Sequence, residues 1–232
     1  MGPLNGIKVL EFSGIGPGPY CGMLLADLGA DVIRLSRVSE KGAHNKFDIH
    51  NRSKRTIVAD LKNPKAIKEI KKIIKEVDVL FEGYRPGVME KLGLSPEKCL
   101  KLNESLVYGR MTGWGQDGPM SKQAGHDINY ISLSGALNAI GDHNSNPSIP
   151  LNLIGDYGGG GMMLAMGILA GVISSSKTGK GQVIDSAMID GSLSLMSFFY
   201  SLKQMGIWKD ERKSNFLDGA AHFYDTYECS DN

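Results

Sequence analysis

Short apolar runs alternate with stretches of helical apolar spacing along the first half of the chain. Ile7 to Phe12, Asp31 to Leu35, Thr56 to Leu61, Val77 to Glu82 and Leu106 to Met111 are compact and apolar and read as strands. Between them, Tyr20 to Leu28, closed by Gly29, and the lysine-rich Pro64 to Lys75 read as helices, and another starts with Ser95 as N-cap and Pro96 in its first turn. Strands separated by helices predict a parallel α/β sheet, and the first strand-helix-strand unit is of the doubly wound type. After residue 112 the pattern turns more helical. A short helix starts at Asp127, as its N-cap, with Ile128, Ile131, Leu133 and Leu137 as apolar positions. Long helices over Asp156 to Ser175 and Met188 to Met205 surround a strand at Gln182 to Ser186. Residues 36–54 and Asp142 to Pro150 predict polar loops, the second of them mobile.

Composition narrows the function classes. Hydrophobic content of 41% and charged content of 22% describe an ordinary globular chain. Twenty-six basic against 25 acidic residues leave a net charge of +1, so nothing draws the whole molecule to nucleic acid or an anionic membrane, and any polyanion site must be local. Cys21, Cys99 and Cys229 are scattered, without zinc spacing or a disulfide framework, which fits a reducing compartment. The chain enters a strand pattern at once, with no signal or transit sequence ahead of it. Met162 to Ile173 is shorter than the ~20 residues that span a bilayer. The expectation is a soluble intracellular protein without stable membrane insertion. No metal is expected, because His44, His50, His143 and His222 occur singly and read as surface or structural, and Asp185 and Asp190 read as caps.

Gly14, Gly16 and Gly18, interleaved with Pro17 and Pro19, follow the first strand. Their G-x-G-x-G spacing is not the dinucleotide G-x-G-x-x-G, and Arg34 and Arg37 stand where an acidic residue would grip a ribose, so a nicotinamide cofactor is not expected. A tight turn feeding a closely packed helix accounts for these glycines.

Candidate chemistry lies between Gly125 and Gly161. His126 sits at a helix start, where free N–H groups favour negative charge. Alone it reads first as a structural histidine. Asp156 precedes a helix opening with Gly158 to Gly161, each glycine costing about 1 kcal/mol relative to alanine inside a helix. Such a run serves close approach, either of a neighbouring backbone, with Asp156 as a plain N-cap, or of a ligand.

The strings GHDINY (125–130), NPSIPLNLIGDYGGGGM (146–162) and TGKGQVIDSAMIDG (178–191) resemble the α-methylacyl-CoA racemases, a branch of the class III CoA-transferase superfamily. So do LNGIKVLEFSGIGPGPYCGMLLADLGADVIRL (4–35) and RPGVMEKLGLSPE (85–97), and the resemblance covers essentially the whole chain. It implies the large domain of that superfamily, a Rossmann-like parallel sheet with flanking helices. Residues 1–200 would form the CoA-binding and catalytic α/β domain, and 201–232 a linker and the start of a second domain. It implies a substrate, a 2-methylacyl-CoA thioester, with coenzyme A as part of the substrate and no prosthetic group. Family members accept bile-acid intermediates and branched fatty acyl groups, form interlocked homodimers, and point to a peroxisome or mitochondrion.

By the same resemblance His126 and Asp156 form the acid/base couple that inverts the α-carbon, with Asp127 contributing through its backbone at the helix start. Turnover in either direction needs one of the pair protonated and the other not. Arg37, Ala59, Asp60, Leu61, Lys62, Gly83, Tyr84, Arg85 and Lys91 would hold the nucleotide and pantetheine, and Gly125, Ile128, Asn129 and Tyr130 would join them in binding coenzyme A. For any single basic residue among these, a solvated surface charge is the ordinary reading. Family members continue past the equivalent of Asn232 into a smaller domain, and a glutamate that supports the histidine lies in that continuation. Two alternatives stay open: a class III CoA-transferase with an aspartate nucleophile, and a truncated CoA-binding relative that does not turn over.

Overall fold

The computed structural model describes residues 2–40 and 45–231; the expectation for His44 lies outside these. Among the described residues six strands form one parallel sheet: β1 (Lys8–Phe12), β2 (Asp31–Ser36), β3 (Arg55–Val58), β4 (Val79–Glu82), β5 (Val107–Thr112) and β6 (Gln182–Ala187). Their order is β3-β2-β1-β4-β5-β6, and every pairing is parallel. Val9, Leu10, Val79, Leu80, Phe81, Val107 and Tyr108 are wholly excluded from solvent. The central strands are covered on both faces, which is why they are continuous apolar runs rather than alternating ones.

Two cores sandwich the sheet. On one face α1 (Pro17–Asp27) and α7 (Met163–Thr178) bring Cys21, Leu25, Leu164 and Ile168 against Val9 and Phe81. On the other, α2 (Pro64–Ile74) and α4 (Pro96–Leu102) set Ile70, Ile74 and Cys99 against Leu10, Leu80 and Tyr108. Asn63 caps α2 by accepting from Lys65 N, and Ser95 caps α4 by accepting from Lys98 N. The doubly wound sheet expected from the strand-helix alternation is therefore present. Strand order reverses between β1 and β4, so a crevice opens at the carboxyl ends of the central strands.

Several boundaries differ from the sequence expectation. Helix α1 begins at Pro17 rather than Tyr20, since proline suits a first helical turn, where its missing N–H costs nothing. The long helix expected over Met188 to Met205 is two helices, α8 (Met188–Leu195) and α9 (Ser197–Gln204). The bend at Met196 lets α9 lean back on the Asp127 side of the molecule, where Tyr200 Oη donates to Ser134 O at 2.6 Å. The loop 142–150, expected to be mobile, is pinned instead: Arg212 Nε donates to Asp142 O at 3.1 Å, and Nη2 donates to Ser145 O.

The largest difference is at Asp156. The helix starts earlier, at Leu153, and its first ten residues, to Met162, form a wide π-helix with an i to i+5 bond from Tyr157 N to Asn152 O. Asp156 is inside this segment, not its N-cap. Counted with α7 the helix runs Leu153–Thr178, 26 residues, long and apolar enough by length and composition alone to cross a membrane, against the shorter run expected. Its glycines serve the close approach of other elements. A Cβ at Gly159 would lie 2.7 Å from Ser192 N in α8, and one at Gly161 would lie 2.7 Å from Pro17 O in α1.

Candidate functional site

The crevice is a cleft of about 690 Å³ lined from every neighbouring strand end. Phe12 to Gly18 end and follow β1, Arg37 and Glu40 follow β2, Gly83 to Pro86 follow β4, and Met111 to Trp114 end and follow β5. His126 and Asp156 both line it, on elements far apart in sequence.

His126 is the N-cap of α5 (Asp127–Leu133), in extended conformation, and its own N–H is held by Asn129 Oδ1 at 2.9 Å. Asp127, read from sequence as the N-cap, is instead the first helical residue; its side chain accepts a bond from Asp156 N at 2.7 Å. That carboxylate is 7% exposed. Burial raises its pKa, with the Asp156 carboxylate acting in the same direction and the N–H groups of Asp156 and Gly155 in the other.

Asp156 is half-buried, and Asn152 Nδ2 donates to its Oδ2 at 3.2 Å. Gly16, with φ of 65°, faces the same carboxylate: a Cβ there would lie 3.2 Å from Oδ2 in a conformation that strains any other residue. Tyr130 is buried beside the pair with its ring edge-on to Trp114, and burial, then the Asp156 and Asp127 carboxylates, push its hydroxyl up to about 12. Gly125 lets this aromatic pair close under the His126 loop, since a Cβ there would be 2.8 Å from the Tyr130 ring.

At the other end, Arg37 lies over the Tyr84 ring, 5.3 Å from its centroid, with Gly83 and Arg85 beside it. Arg37 and Arg85 are exposed there. Of the other residues expected to hold the nucleotide and pantetheine, Ala59 to Lys62 and Lys91 fall outside the cleft. Ala59 and Leu61 pack on the core that holds Leu10, Leu80 and Tyr108, Asp60 Oδ1 closes a turn with Lys62 N, and Lys91 ends the short α3 (Val88–Lys91). Ile128 and Asn129 are exposed on α5 and do not line the cleft, whereas Gly125 and Tyr130 do. Among the described residues no cluster of histidine, cysteine or carboxylate side chains has an arrangement suited to a metal.

Sequence reasoning missed Asn152, Gly16 and Tyr157. Asn152, four residues ahead of Asp156 in a helical segment, could have been found by that spacing. Tyr157 packs edge-on to Tyr20 at 4.9 Å, and His50 joins the same group at 5.6 Å from Tyr157, a structural role as expected for that histidine.

Comparison with known proteins agrees with this architecture. Residues 4–232 match the family described as CoA-transferase family III. The chain is 46% identical to mouse alpha-methylacyl-CoA racemase over 228 residues and 45% identical to the human protein over 230, covering 98% of this chain and 59% of each relative. It is also 31% identical to human succinyl-CoA:glutarate CoA-transferase, over 99% of this chain and 55% of that one. The crystal structure of Rv3272 from M. tuberculosis superposes with a TM-score of 0.78 at 30% identity, over 88% of this chain and 59% of the other. A CaiB/BaiF family protein from Brucella suis superposes with a TM-score of 0.80 at 28% identity, over 88% and 58%. The chain thus spans somewhat under two thirds of the length of these relatives, and with a match running from residue 4 to 232 it belongs to CoA-transferase family III.

Proposed function

We propose that the protein inverts the α-carbon of 2-methylacyl-CoA thioesters. One observation carries the reading: a histidine ahead of α5 and an aspartate in the π-helical turn, from separate parts of the chain, open on one cleft at the switch point of the sheet. Similarity to two racemases at 45–46% identity supports it.

The α-hydrogen of a thioester is weakly acidic, and its removal needs a base in reach and stabilisation of the enolate oxygen. His126 takes the proton from one face while the C–H electron pair moves towards the carbonyl oxygen. The Asp127 N–H, at the first position of α5, meets that oxygen. Protonated Asp156 then delivers a proton to the opposite face, and the roles reverse for the other enantiomer. Arg37 and Arg85 bind the phosphates of coenzyme A, with Tyr84 beside them. Ala59 to Lys62 and Lys91 belong to the wider surface that the nucleotide crosses. The partner in this reading is a second copy of the chain, supported by exposed apolar side chains on adjacent helices such as Met166 (61%), Ile173 (56%) and Leu195 (44%).

The test is deuterium entry at the α-carbon of (2R)- and (2S)-2-methylacyl-CoA in D₂O. Exchange in the wild type, abolished in both His126→Ala and Asp156→Ala, supports the reading. A CoA-transferase, the second reading favoured by 31% identity to such an enzyme, uses a carboxylate but no neighbouring histidine, so acyl exchange between CoA esters would survive His126→Ala. CoA binding without exchange of either kind would instead support a non-catalytic CoA-binding relative.

A further inference from the structure

The mechanism above uses Asp127 only through its backbone, yet its side chain bonds the two halves of the site directly. From the first position of α5 the carboxylate turns inward, and its Oδ1 accepts from Asp156 N at 2.7 Å. The contact depends on a glycine: a Cβ at Gly155 would lie 2.6 Å from Oδ1. Because Asp127 follows His126 directly, one side chain ties the backbone bearing the histidine to the backbone bearing the aspartate. His126 has a separate tether, its N–H to Asn129 Oδ1. The Asp156 carboxylate is bonded by Asn152 on its other side, while its backbone N–H inside the π-helical turn donates to Asp127.

We propose that the Asp127 carboxylate is a positioning residue that sets the distance between the two bases across the α-carbon. This inference rests on the racemase reading. Removing the carboxylate frees the Gly155–Asp156 backbone and leaves His126 tethered, so the loss falls on one face of the substrate. An enantiomer whose α-hydrogen faces His126 still forms the enolate, and His126, having traded its proton for solvent deuterium, returns a deuteron to the same face. The enantiomer whose α-hydrogen faces Asp156 loses its base. A displacement of 1 Å at a reacting group costs about 100-fold in rate.

The experiment follows deuterium entry separately from each pure enantiomer, in the wild type and in Asp127→Ala, Asp127→Asn and Gly155→Ala, with the Asp156 backbone amide observed by NMR. In Asp127→Ala, and in Gly155→Ala should the first not fold, exchange from one enantiomer falls about 100-fold at nearly unchanged KM, while the other exchanges with retention. Asp127→Asn keeps an acceptor for the Asp156 N–H and restores most of the lost rate. The Asp156 amide proton moves upfield in Asp127→Ala and stays in place in Asp127→Asn. Equal loss from both enantiomers in a folded variant, or loss from neither, overturns the inference and leaves the racemase reading intact. A wild type that exchanges neither enantiomer overturns that reading and this inference with it.

Discussion

Glu11 Oε2 and Lys54 Nζ lie 2.7 Å apart, and neither side chain reaches solvent. Lys54 also donates to Pro19 O at 2.9 Å, so the pair ties the end of β1, the first turn of α1 and the segment leading into β3 together beneath the cleft. Gly22 makes room for it, since a Cβ there would overlap the Glu11 carboxylate. Glu11 Oε1 has no hydrogen-bond partner among the described residues, and Lys54 is the cation in direct contact with the carboxylate. Removing the cation alone, in Lys54→Met, should cost about 3 kcal/mol in urea unfolding, because it strands a buried acid. The double variant Glu11→Gln with Lys54→Met should lose less than the single one. A double variant at least as unstable would mean that the pair stabilises by attraction outright.

Stability should fall with rising pH across the neutral range. Burial pushes Glu11 from 4.5 up to about 7 against the attraction of Lys54. It pushes Glu82 up to about 7 against the Tyr84 N–H and Arg110. Both acids hold their protons longer in the fold than in the unfolded chain. Their contribution is therefore fully present below about 4.5 and is lost as pH rises through about 7. Melting temperatures taken between these limits should decline, and the decline should be shallower in Glu82→Gln. A melting temperature that climbs through this window would count against both assignments.

Gly191→Ala should damage the site from a distance. A Cβ at 191 would overlap the Gly159 carbonyl, where α8 meets the π-helical turn that carries Asp156. Overpacking of this kind costs about 3 kcal/mol, and the strain is taken up by the segment holding the Asp156 carboxylate. We expect a lowered melting temperature together with α-proton exchange reduced at least tenfold. Normal exchange in a destabilised variant would show that the turn is rigid against this push.

Arg37→Ala should raise KM for the acyl-CoA about tenfold or more and leave kcat nearly unchanged. Phosphate binding acts equally on the ground and transition states, and a charge-assisted bond contributes about 1.5–3 kcal/mol. Steady-state kinetics at two salt concentrations test this, because part of the wild-type affinity should also fade with salt. An effect on kcat alone would take Arg37 out of nucleotide binding.

The sheet was legible because its physics is local. Val9-Leu10, Val79 to Phe81 and Val107-Tyr108 are apolar on both faces, and Ser95-Pro96 and Asn63-Pro64 mark helix starts by chemistry that acts within one turn. The four glycines after Tyr157 announced close approach, and the GHDINY string singled out the loop ahead of α5. These local signals do not carry distance. That Asp127 accepts from Asp156 N, that Glu11 meets Lys54, and that Arg212 pins the 142–150 loop are contacts between residues far apart in the chain, with no periodic trace.

The sequence by itself determined the parallel α/β class and the positions of the six strands to within a few residues. Only the tertiary structure decided that the helix at Asp156 opens as a π-helix, that Ala59 to Lys62 and Lys91 lie outside the cleft while Arg37 and Arg85 line it, and that Asp127 braces its neighbour rather than capping a helix. The physical reason is that propensity and capping act over one turn of chain. A cleft, an ion pair and a positioning bond exist only once the sheet has brought distant segments to the same edge.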